Sequence, residues 1–250
     1  MVLYLGFLLV LGAWGVGNWS LLWRGLAIVA IYTVLDLALS KRREGKFIAP
    51  SSAWISGLIL SLVLAPAAPW LAVLFAPVVA SLGKHFIRYK QKHIFNPAAS
   101  ALVLLGFLFP SAAIVSWWGS AWGRIPLVVI VLSGIVTMFR VKRWKTALAF
   151  LVVYVVGASA LLLSRGGSVA DLRALFVDGT LFFFATVMLI EPVTTAYQPA
   201  WLRTAFGAGV AVLTLLFSLP GGRLPIPDPF LVSLLISNLG ATSISMLIRR

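Results

Sequence analysis

Two short stretches place reactive side chains where an otherwise apolar chain is interrupted: Lys92-His93-Ile94-Phe95-Asn96-Pro97 and Ile190-Glu191-Pro192-Val193-Thr194-Thr195. Proline has no N–H to donate and turns the residue before it away from helix, so each polar–Pro pair marks a broken helix. Inside lipid such a break is tolerated only where the freed backbone groups face protein or a cavity. A carboxylate at helix depth costs about 2.5–3.5 kcal/mol on insertion scales, which calls for a partner or a water-lined space. Glu191 is therefore suited to coordinating a cation, relaying a proton or accepting from a ligand N–H; its plainer role is an interfacial ion pair with Arg203. Thr194 and Thr195 put hydroxyls beside it, or cap the helix that follows. Asn96 before Pro97 is suited to capping a half-helix whose N-terminal N–H groups attract an anionic or electron-rich group. Asp36 is either part of an ion pathway or a partner of Lys41, Arg42 or Arg43. Lys84, His85, Arg88, Lys90, Lys92 and His93 form a basic hairpin leading to Asn96, suited to lipid headgroups or to a phosphate-bearing cofactor.

The elements that position these residues are membrane helices. The 250-residue chain is 61% hydrophobic and only 10% charged, with ten tryptophans suited to interfacial belts. Its mean hydropathy is +1.05. With no cysteine, the chain forms no disulfide and holds no iron–sulfur cluster by itself. Its two histidines, His85 and His93, share one loop, so a haem held from two facing helices is not expected, and no set of metal ligands stands out. The formal charge of +14 sits in short loops between apolar runs, which reads as topology rather than nucleic-acid binding. The first 17 residues lack a basic lead, so they read as a retained helix.

Fifteen of the 20 Lys and Arg fall in five clusters: at 41–46, 84–92, 140–145, 203 and 249–250. Placing all five in the cytoplasm fixes the crossings between them. The expected segments are about 2–17, 21–40, 53–66, 69–83, 97–109, 124–140, 146–163, 180–190, 203–219 and 229–248. The fold class is thus an all-α integral membrane protein of about ten transmembrane segments, multi-pass in the cell (inner) membrane, with both termini cytoplasmic. The segments at 53–66, 97–109 and 180–190 are shorter than the roughly 20 residues of a perpendicular span and read as half-helices. Corresponding breaks in the two halves, about 1–110 and 124–250, point to one polytopic domain of two inverted five-helix repeats. In that arrangement the interrupted helices turn toward each other at mid-bilayer around a polar pocket.

Ser51-Ser52-Ala53-Trp54-Ile55-Ser56-Gly57, the Pro-Trp link at 69–70, Gly83-Lys84 and Phe95-Asn96-Pro97-Ala98 follow one another in a familiar order. Gly179-Thr180-Leu181, Phe183-Phe184-Ala185-Thr186, Glu191-Pro192-Val193-Thr194 and Phe206-Gly207-Ala208-Gly209 continue it. Over roughly residues 25–248 the chain resembles the RnfD/NqrB family, the related membrane components of the Rnf electron-transport complex and of the sodium-pumping NADH:quinone oxidoreductase. The resemblance implies a ten-helix inverted-repeat fold related to urea transporters, flavin cofactors and electron transfer coupled to ion movement, beside other membrane electron-transport subunits. A homo-oligomer is compatible with this.

The departures are informative. The family carries FMN on the threonine of a Gly-Ala-Thr motif in the loop after the fifth segment, yet Pro110 to Gly123 contains no Gly-Ala-Thr and no acidic residue. Gly240-Ala241-Thr242 occurs elsewhere, but Leu239 stands in the Ser/Thr position and Ile236 in the Asp position, so a close-packing helix face is expected there. Glu191 replaces the family's aspartate, and Val187 to Ile190 form a four-residue insertion before it. The leading expectation is an electron-transfer (oxidoreductase or translocase) subunit holding FMN or riboflavin noncovalently between the repeats. Ser56, Lys84, Asn96, Pro97, Thr186, Glu191, Thr194 and Thr195 would line that site, and Asp36 and Glu191 an ion pathway. Phe182-Phe183-Phe184 either flanks the flavin ring or packs toward lipid. The alternative is a channel or transporter for a small solute that uses the same half-helix cavity without redox chemistry.

Overall fold

A computed structural model describes residues 1–45, 49–110, 114–121, 124–194, 199–219 and 226–248. The chain forms two compact units, Met1–Trp122 and Gly123–Arg250.

In the first unit α1 (Val2–Val16) ends on Gly17, whose positive φ lets its N–H close the last turn. The helix α2 (Ser20–Glu44) follows, with Lys41, Arg42 and Arg43 in a last turn where cations offset the exposed carbonyls. Next come α3 (Ser51–Val63), α4 (Trp70–Phe86) and the two-residue strands β1 (Arg88–Tyr89) and β2 (Lys92–His93), then α5 (Pro97–Leu108) and the single turn α6 (Trp118–Ala121). The α2 helix packs on α3 and α4, α4 on α5, and α1 on α3 and α6. The basic hairpin pairs Arg88 with His93 and Tyr89 with Lys92. Its turn residues Lys90 and Gln91 both take positive φ, as a tight two-residue hairpin requires.

The second unit contains α7 (Arg124–Arg140), α8 (Trp144–Ser164) and the amphipathic α9 (Val169–Phe176). Then come α10 (Gly179–Phe183), continued by a π-turn over Phe184–Met188, and the long helices α11 (Ala200–Phe217) and α12 (Pro229–Ile248). Here α11 packs on α8 and α12, and α10 on α7. Its core is aromatic: Phe184 lies 5.0 Å from Phe230 and 5.2 Å from Phe150, ring centre to ring centre. Phe183 and Phe184 are fully buried, so these two rings pack in the protein core rather than toward lipid.

Helix occupies every one of the ten expected apolar segments. Among the described residues four helices, α2, α8, α11 and α12, are long and apolar enough to cross a membrane alone. The shorter α1, α3, α4 and α5 are apolar too. Large apolar side chains on the helices face outward, among them Leu3, Trp23 and Leu247, as expected of a multi-pass protein in lipid. Lys46, Thr195, Arg223, Arg249 and Arg250 lie outside the described residues.

Candidate functional site

The break after α3 is closed by other parts of the first unit. The helix stops at Val63, and its end is buried: Leu60, Leu62, Val63 and Leu64 are at most 4% exposed. Carbonyls freed there need donors, since an unpaired buried C=O costs about as much as a lost hydrogen bond. The segment 114–118 supplies them. Ser116 N–H and Trp117 N–H donate to Val63 O (3.1 and 3.3 Å), and the Trp118 indole N–H donates to Ser61 O (2.9 Å). Ala65 N–H donates in return to Ile114 O (2.8 Å). Trp117 takes φ 51°, unusual for a bulky residue, and the packing around it holds that turn. From α2, the Arg24 guanidinium donates to Pro66 O and Ala68 O and stacks 5.0 Å over the Trp70 ring. Ser56 is buried on α3.

The α5 helix begins as its sequence requires. Asn96 is buried, and its Oδ1 accepts from Ala99 N–H at 3.0 Å, with Pro97 in the first turn where no N–H is missed. Beside it, α2 and α4 share a buried charged cluster. Asp36 Oδ1 accepts from Lys84 Nζ at 2.7 Å and lies 2.8 Å from His85 Nε2. His85 Nδ1 lies 3.1 Å from Arg43 Nη1. A guanidinium can only donate, so Nδ1 accepts and the imidazole N–H is Nε2–H, aimed at Asp36. Asp36 is thus held across the helix pair by Lys84 and His85, rather than by its own helix's Arg42 or Arg43. The reason is helical spacing. Asp36 and Arg43 are seven residues apart on one face of α2 and straddle His85 on α4.

In the second unit the four residues Val187 to Ile190 begin inside the π-turn, where Leu189 N–H donates to Phe184 O (2.9 Å) in the wide i→i+5 pattern. A π-turn absorbs extra residues without ending the helix and recurs at functional sites. Thr186 is buried in it, bonded to Phe182 O (2.7 Å), and sits against Gly134 of α7. Glu191 follows the turn, half-buried, and Thr194 Oγ1 donates to Glu191 O (3.2 Å). Further along, α12 starts on Asp228, whose Oδ1 accepts from Leu231 N–H (2.9 Å). Ser233 and Asn238 on α12 are fully buried, and neither side chain has a hydrogen-bond partner among the described residues. Leaving an amide so costs about 1–3 kcal/mol, which marks a place where another polar group belongs.

The structure therefore joins Asp36 to Lys84, Asn96 to the start of the helix opened by Pro97, and Thr194 to Glu191. Asn96 and Glu191 belong to different units. Two residues that matter escaped sequence reasoning: Arg24 and Asn238. For Arg24 the available signal was a lone cation preceding a Pro-rich link. Asn238 offered only one amide in an apolar run. Lys84 and His85, read from the sequence as part of the basic hairpin with His93, instead lie in the last turn of α4, because the helix runs on to Phe86 before the hairpin begins.

The residues present fit a noncovalent flavin better than a covalent one. An amide offers two donors and an acceptor, the complement of a flavin's imide edge, and Asn238 holds both unused. Residues 114–118, by contrast, are engaged in closing α3, and Pro110 to Gly123 has no threonine for a phosphoester. Among the described residues no group of three or more His, Cys, Asp or Glu forms a metal-binding set.

Comparison with known proteins adds to this. The RnfD component of the ion-translocating oxidoreductase complex from Pseudomonas paraeruginosa is 38% identical over 92 residues, 36% of this chain and 26% of that protein. The same component from Pseudomonas aeruginosa is 36% identical over 92 residues. That from Aliivibrio salmonicida is 36% identical over 78 residues, 30% of this chain and 21% of its own length. The match thus spans about a quarter of the length of these relatives. The family model described as NQR2, RnfD, RnfE matches residues 1–121, the stretch that carries the α3 break, the Asp36 cluster and the Asn96 cap. By those residues the first unit is similar to the NQR2, RnfD, RnfE family.

Proposed function

We propose that this chain is a membrane electron-transport subunit of an ion-translocating oxidoreductase, and that it holds a flavin (FMN or riboflavin) noncovalently. The observation that carries the reading is the buried, Asn96-capped start of α5 within the family-matched residues. Ala99 N–H and Ser100 N–H are already bonded to Asn96, so the positive end of the helix dipole is what would attract an electron-rich ligand there. The flavin supplies the redox chemistry when bound. The chain's own residues orient it, exclude water and set the local field. Asn96, Ser56 and Lys84 serve in the first unit, and Thr186, Glu191, Thr194 and Asn238 in the second; Thr195 belongs to the same reading. Asp36 and Glu191 are the carboxylates for an ion path.

The ten-segment repeat reading draws support from packing order. Taking α10 with its π-turn as a third segment, the second helix of each unit packs on the fourth, the fourth on the fifth, and the first on the third. Asn96-Pro97 and Asp228-Pro229 open the fifth segment of each with the same cap. We place the protein in the inner membrane with both termini cytoplasmic, beside other membrane subunits of the complex.

The protein purified in detergent should be yellow, and acid denaturation should release free flavin into the supernatant. Asn238→Leu should retain less flavin at unchanged expression, and Glu191→Gln should impair electron transfer while the protein still accumulates. A second reading, a channel or transporter for a small solute, is favoured by one observation: the loop that holds the covalent flavin in the family closes α3 here. A colourless protein that accelerates solute flux into vesicles would replace the first reading with the second.

A further inference from the structure

Between the basic ends of α2 and α4 lies an open cleft of about 310 Å³, lined by Leu39, Arg42, Arg43, His85 and Phe86. We propose that it binds the phosphate of an acidic phospholipid. This inference stands apart from the flavin reading; of the residues named there it uses only Lys84 and Asp36, neither of which lines the cleft.

Charge comes first. Arg42 is exposed and engaged by no side chain of the described residues. Arg43 is fixed from behind by His85 Nδ1 at 3.1 Å, and His85 is fixed in turn by Asp36 at 2.8 Å. Asp36 is committed to Lys84 and His85, so its carboxylate does not face the cleft as a competing anion. A guanidinium carries five donors, and Arg43 spends one on His85 and another on Glu44. The remaining donors, with those of Arg42, form a fork suited to phosphate oxygens. Among the described residues Glu44 is the one carboxylate on the cleft's arginines, and an incoming phosphate competes with it.

Shape then selects the source of the phosphate. The cleft has apolar walls in Leu39 and Phe86, and Phe86 is 71% exposed beside two cations. From there the outward face of α4 continues through Leu82, Phe75 and Leu71, all exposed. A soluble phosphate ester leaves that stripe unused. A phospholipid covers it with its chains while its headgroup fills the cleft, the arrangement by which basic pockets between membrane helices hold acidic lipids.

The test is native mass spectrometry of the full chain in neutral detergent, offered equal amounts of phosphatidylglycerol and phosphatidylcholine. The wild type should retain phosphatidylglycerol in preference. Arg42→Gln, which leaves the His85 bridge intact, should lower that preference about fivefold. Glu44→Gln should raise it, and Lys90→Gln on the exposed hairpin should leave it unchanged. Equal retention of the two lipids by the wild type would overturn the proposal. So would an equal loss in Lys90→Gln and Arg42→Gln, the mark of diffuse surface charge. Displacement of the lipid by glycerol 3-phosphate at matched concentration would reassign the cleft to a soluble phosphate ester.

Discussion

At the scale of single residues, two cations hold this protein together where apolar packing cannot. Arg24 bonds the carbonyls of Pro66 and Ala68 in the link after α3, and hydrogen bonds to a charged donor are worth about 1.5–3 kcal/mol each. Arg24→Met should therefore speed amide exchange at Ala65 and Ala68 well before α2 itself opens; protection unchanged at both amides would remove that role. Lys84 is the second. Asp36→Asn leaves its ammonium mostly buried beside a neutral amide, and breaking a buried pair this way costs about 3 kcal/mol. Thermal unfolding in detergent should show the loss, and Asp36→Asn with Lys84→Met should recover more than half of it. Purely additive losses would mean that the two side chains do not act as a pair.

At the scale of elements, glycines decide how closely helices approach. A Cβ on Gly207 of α11 would stand 2.2 Å from the backbone carbonyl oxygen of Thr146 on α8, whereas a Cβ on Gly209 would meet nothing within 4 Å. Gly207→Ala should cost about 1–3 kcal/mol by overpacking, and Gly209→Ala should be neutral or gain up to about 1 kcal/mol from helix propensity. Paired thermal melts of the two variants separate packing from propensity, because the sites share one helix. The short α9 depends on chemistry instead. The Ser168 hydroxyl and backbone N–H both donate to Asp171 Oδ2, at 2.7 and 2.8 Å, and hold its carboxyl below the usual carboxylate range. A carboxyl whose folded pKa is depressed stabilises above its unfolded pKa and loses that contribution as pH falls through the folded value. Hydrogen exchange over Val169–Phe176 should therefore rise relative to α8 as the pH drops below about 4, and the rise should vanish in Asp171→Asn.

At the scale of the whole molecule, the proposed flavin binding has a thermodynamic test, because a ligand that binds only the folded form raises the unfolding temperature with its concentration. Adding riboflavin to protein stripped of cofactor should do so, and Asn238→Leu should lessen the shift; equal shifts in both proteins would take Asn238 out of the site. The sequence by itself determined the class of fold and most helix limits, because apolar runs, proline breaks and glycine or basic ends are local signals. The Asn96 cap was readable for the same reason: its side-chain oxygen meets an N–H only three residues away. Only the tertiary structure decided which distant groups meet. Asp36 found Lys84 and His85 across 48 and 49 residues, and Trp118 found Ser61 across 57. Those pairings follow from which faces of neighbouring helices come into contact, and composition and spacing along one helix carry no record of the face it will meet.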